Sequence, residues 1–120
     1  MNNYKSLKLW QKSVDLAVEI YKVTSSFPKE EMYGLTSQIK RSAVSIPSNI
    51  AEGAGRNTKK DFNNFLGISI GSSSELDTQL IIASRIGFIN ESLLQTLQKQ
   101  IEEIQKMNWA LKRSLKLTND

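Results

Sequence analysis

The chain has 120 residues, 39% of them apolar and 23% charged, which suits one domain with one hydrophobic core. It contains no cysteine and no histidine, which excludes disulfides, thiolate metal sites, haem ligation by either residue and the commonest general base. No run of about 18 apolar residues exists and the first eight residues lack an apolar signal core, so a cytoplasmic protein without a membrane span is expected.

Four apolar patterns with a helical period follow one another, and no strand alternation competes with them. The first predicts a helix over residues 5–24. One stripe is Leu7, Trp10, Val14, Ala17 and Tyr21, and a second, about 130° away, is Leu9, Leu16, Ile20 and Val23. Ser25 to Pro28 end it. The second helix begins either at Glu30 and Glu31, which suit a first turn, or after Gly34. Its core stripe runs from Met32 through Leu35, Ile39, Ala43 and Ile46 to Ile50. Pro47 should bend this helix without ending it, because the stripe keeps its phase across it. Gly53 and Gly55 read as the exit.

Asn57 or Thr58 can cap the third helix, and Thr58, three residues before Asp61, has the spacing of a capping box. That helix runs to about Ile86 on a stripe from Phe62 to Ala83. Its other face is not charged and holds Gly67, Gly71, Ile81 and Ile82. Gly87 closes it, Asn90 caps the fourth helix, and Leu94, Leu97, Ile101 and Ile104 give the last stripe. Short connections between four such helices predict one all-α domain over residues 1–120, an antiparallel up-down-up-down four-helix bundle.

A bundle helix needs one buried stripe, and the first and third show two. Leu9, Leu16, Ile20, Gly67, Gly71, Ile81 and Ile82 are therefore the candidate contacts of a homo-oligomer. Net charge is +4 and is unevenly spread. Lys40, Arg41, Arg56, Lys59 and Lys60 form one cationic segment, and Lys106, Lys112, Arg113 and Lys116 form another. The remainder of the chain is net acidic. Nucleic-acid backbone is the natural partner of such patches, with an acidic protein surface as the alternative.

No nucleophile–base pair and no phosphate-binding loop can be assembled, so no catalysis, metal or cofactor is expected. Ser45, Ser48, Asn49, Glu52 and Glu75 resemble a site but read as a structural polar network. It would satisfy groups freed by Pro47 and anchor Arg41 or Arg56.

Several motifs together resemble one family. They are Trp10-Gln11-Lys12, Phe27-Pro28, Tyr33-Gly34-Leu35, the run Ser45-Ile46-Pro47-Ser48-Asn49-Ile50-Ala51-Glu52-Gly53 with Arg56, and Glu75-Leu76-Asp77-Thr78-Gln79-Leu80. They look like the bacterial four-helix bundle proteins encoded in intervening sequences of 23S ribosomal RNA genes. The resemblance implies a bundle similar to homopentameric rings. It also implies kinship with the accessory protein of diversity-generating retroelements, a basic pentamer that binds nucleic acid and a reverse transcriptase. It carries over no catalytic residue.

Overall fold

The chain breaks where the sequence removes helical support. A computed structural model describes residues 3–116, with side chains to residue 115. After a short 3-10 turn, Tyr4–Ser6, the extended Leu7 leads into α1, Lys8–Thr24. The predicted first helix is thus two pieces, because Ser6 bonds back to the Asn3 carbonyl and closes the turn on itself. A second 3-10 turn, Lys29–Glu31, precedes α2, Leu35–Ala54. Of the two starts left open, the one after Gly34 is correct. The Glu31 side chain caps it by accepting from the Leu35 N–H at 3.1 Å.

α2 continues through Pro47, which lies buried on the core side. Gly53 is not an exit: it lies inside α2, and a Cβ there would stand 2.7 Å from the Cβ of Phe65. Its role is close approach of α2 to α3, Lys59–Arg85. Gly55, at the true end, has φ −84°, so it needs no left-handed conformation. The Thr58 hydroxyl caps α3 by accepting from the Asp61 N–H at 3.0 Å. Gly87, at φ +87°, closes α3 as expected. Its N–H donates to the Ser84 carbonyl and that of Phe88 to the Ala83 carbonyl, the paired bonds of a Schellman turn. Asn90 accepts from the Leu93 N–H at 2.8 Å and starts α4, Glu91–Lys116.

The four helices form an up-and-down bundle about 48 × 24 × 20 Å, in which each is antiparallel to the next in sequence. Leu16, Ile20, Ile39, Ile46, Ile50, Leu66, Leu76, Leu80, Leu97 and Ile104 fill its centre. This overturns one premise of the predicted self-association. Leu9, Leu16 and Ile20 are buried by the chain's own α2 and α4, so they offer nothing to a second copy. Both stripes of α1 were legible, but their ranking was inverted. The stripe through Tyr21 lies on the flank, with Tyr21 exposed, while the stripe through Ile20 faces inward. Gly67 is likewise turned toward α4: a Cβ there would lie 3.6 Å from the Lys112 ammonium. Ile81 is half-buried; Gly71 and Ile82 lie open.

Among the described residues no helix is long and apolar enough to cross a membrane.

Candidate nucleic-acid interface

Antiparallel packing decides which charges meet. Three bonds fix the register of α3 against α4: Gln98 to Asp77, Gln105 to Ser73 and Lys112 to Asn63. The start of α3 therefore lies beside the end of α4. Ser42–Glu75 and Ser45–Ser72 fix α2 against α3 in the same way and bring Arg56 level with the first turn of α3. Lys12, paired with Glu103 at 2.8 Å, places the start of α1 at that same end.

One end of the bundle thus gathers Lys5, Lys8, Arg56, Lys59, Lys60 and Arg113, all exposed, against the acids Glu52 and Asp61. Both cationic segments of the sequence contribute, although about 50 residues separate them, because α3 and α4 are antiparallel neighbours. Arg56 is held in place: its guanidinium meets Glu52 at 3.1 Å and lies 4.8 Å from the centre of the Phe65 ring. Part of its charge is therefore spent internally. Lys5 and Lys8 were missed by the sequence reading, since no local charge run marks them. Only the bundle topology brings them to this end.

The remaining predicted contacts divide. Lys40 and Arg41 sit about 22 Å up α2 from Arg56, at the helical rise of 1.5 Å per residue. The Lys40 ammonium lies 4.8 Å above the Tyr21 ring. Lys106 pairs with Glu102 at 3.2 Å, at about the height of Lys8. Lys112 is a correction: its side chain is only 9% exposed, and its ammonium donates to the backbone carbonyl and the Oδ1 of Asn63, each at 3.0 Å. It clamps α4 to α3 rather than reaching solvent. One turn earlier Asn108 is buried as well, its Oδ1 without a hydrogen-bond partner. The side chain of Lys116 lies outside the described residues.

The polar network has its own place, between α2 and α3. Asn49 donates to the carbonyl and hydroxyl oxygens of Ser45 at 2.8 and 2.9 Å. Ser45 shares a 2.8 Å bond with Ser72, Ser69 donates to the Ile46 carbonyl beside Pro47, and Ser42 donates to Glu75 at 3.2 Å. Ser48 is exposed and takes no part in these bonds, and Glu52 is engaged by Arg56 instead. Glu75 and Arg41 face one recess of about 300 Å³. These bonds hold two helices together and present no reacting pair. No group of three or more His, Cys, Asp or Glu side chains able to hold a metal occurs among the described residues.

Lys12 has its pKa held above the ordinary value, chiefly by its hydrogen bond to Glu103 and then by the charge of that carboxylate. The pair bridges α1 and α4 one helical turn above Lys8.

The fold defines an all-α four-helix bundle with a hydrogen-bonded polar seam between α2 and α3 and one strongly cationic end. Residues 5–110 match the family described as 23S rRNA-intervening sequence protein, and the chain belongs to that family. A solved structure from Bacteroides thetaiotaomicron, a protein of unknown function from the S23 ribosomal protein family, is similar over the whole bundle. It is 25% identical with a TM-score of 0.82, across 88% of this chain and 95% of that one. No curated protein matches.

Proposed function

We propose that this protein is a non-enzymatic, cytoplasmic bundle that binds nucleic-acid backbone through its cationic end and does so as a homo-oligomer. The supporting observation is the convergence of Lys5, Lys8, Arg56, Lys59, Lys60 and Arg113, drawn from three separate stretches of sequence. Such a cluster meets the charge of the phosphates rather than the identity of the bases. The count of five copies rests on the motif resemblance alone, which implies kinship with ring-forming bundles such as the retroelement accessory protein. A ring repeats each cationic end and converts weak phosphate contacts into avidity.

Titration of structured RNA and of duplex DNA at several salt concentrations tests this. Affinity should fall steeply with salt, by roughly one power of salt concentration per phosphate contact. Replacing Lys59, Lys60 and Arg113 together by Gln should weaken binding equally across sequences and flatten that slope by about two to three. Binding that ignores salt, or an unchanged affinity in the triple variant, would overturn it. Capture of a protein such as a reverse transcriptase through the same end, surviving nuclease treatment, would replace it with the scaffold reading.

A further inference from the structure

Two faces of the bundle are left open, and they differ in kind. The first spans α1, α2 and the turn before it, where Tyr21, Met32, Tyr33 and Val44 surround a shallow depression of about 420 Å³ with Lys40 and Arg41 on its wall. Tyr33 is 93% exposed, and no carboxylate lines the depression. Tyr, Met and Arg are the residues enriched at the buried centres of protein interfaces. The second is the outer side of α3. Ile68, Ile82 and Ile86 stand there in solvent, and the Glu75 carboxylate lies between them.

Gly71 lies on this second face, and a Cβ there would meet nothing within 4 Å. Glycine inside a helix is unfavourable, and here the chain's own packing gives no reason for it. Gly53 and Gly67, by contrast, each have a neighbour on another helix.

The geometry points to a head-to-tail contact between copies of this chain, in which the isoleucine face of α3 from one copy fills the depression on the next. The inference rests on the self-association proposed above and adds which surfaces meet and in what sense. Three observations favour a second copy over any other occupant. Lys40 and Arg41 stand on the depression and the exposed Glu75 carboxylate on the α3 face, so the two surfaces carry opposite charge, although Glu75 also faces the Arg41 of its own chain across the α2–α3 recess. Both are apolar enough to need cover. The Ser42–Glu75 bond sets Glu75 at the height of Lys40 and Arg41, so copies standing side by side match without sliding along the bundle axis. Two different surfaces make the contact heterologous, the kind that propagates until a rotation closes it.

The test combines light scattering with chromatography at about 1–100 μM protein, over the range in which ordinary self-association is resolved. One variant blocks the depression, Tyr33→Asp with Arg41→Glu. The other blocks the α3 face, Ile82→Glu with Gly71→Leu, where leucine is a better helix former than glycine. Circular dichroism confirms that each is helical. Each variant alone should be a monomer, and an equimolar mixture should stop at the dimer, because one sound depression then meets one sound ridge and neither end can extend. A wild-type monomer throughout would overturn both this contact and the oligomer proposed above. An assembled wild type whose variants assemble equally well would overturn this contact and leave the oligomer standing. Mixtures that stay monomeric or grow past dimers would also overturn it.

Discussion

Gly53 and Gly71 stand 18 positions apart on neighbouring helices, and their surroundings are opposite. Around Gly53, the Cβ of Phe65 and the ring and carbonyl of Phe62 leave no room for a methyl group. Around Gly71 there is open space. The first glycine is explained by this chain alone, as the place where α2 lies against α3. The second is not, and it sits on the side where large apolar groups face water. Identical residues therefore mark a closely packed part of the molecule and an open one.

The sharpest way to break that contrast uses two residues of α3 two positions apart. Leu80 is fully buried and Ile82 is 46% exposed. Leu80→Ala should cost about 2–5 kcal/mol in urea unfolding, whereas Ile82→Ala in dilute protein should stay within about 0.5 kcal/mol. Equal losses would mean that the outer face is packed after all. Next in size is Gly53→Ala, which should destabilise by about 1–3 kcal/mol, since backbone and Cβ atoms cannot swing aside. Gly71→Ala should do the reverse and raise stability by roughly 0.5–1 kcal/mol, because helix propensity is all that changes. The opposite sign of the two substitutions, read from denaturation midpoints at low concentration, is the measurement that sharpens the comparison.

The smallest effect expected is a pH dependence. The folded-state pKa of Lys12 is raised, so its pairing with Glu103 contributes fully below the ordinary lysine value of 10.5 and is lost as pH rises through the folded value. The difference between wild type and Lys12→Met should therefore be flat across neutral pH and shrink only above about pH 10.5. The chain has no histidine to add a transition between pH 5 and 8.

Most of the fold was legible because helix punctuation is local. Thr58, Gly87 and Asn90 mark their termini by chemistry that involves only the next few residues. What stayed hidden depends on neighbours distant in sequence. Gly53 read as an exit because Phe62 and Phe65, which crowd it, belong to another helix. Lys112 read as a surface cation because Asn63, which binds it, lies 49 positions away. The two stripes of α1 could be seen but not ranked, since α2 and α4 decide which is covered. The candidate interface was half legible for the same reason: the two basic runs could be counted, but their meeting at one end, with Lys5 and Lys8 joining them, is a property of the antiparallel arrangement.

The ammonium of Lys112, enclosed and held by two oxygens of Asn63, has one more consequence. An amine-reactive reagent should acylate Lys59 and Lys60 promptly in the native protein, yet reach Lys112 only when the α3–α4 end springs apart. The rate of that single acylation, followed by peptide mass spectrometry, is then a stopwatch for the breathing of this end of the molecule. Polyanion bound across the same end should slow it.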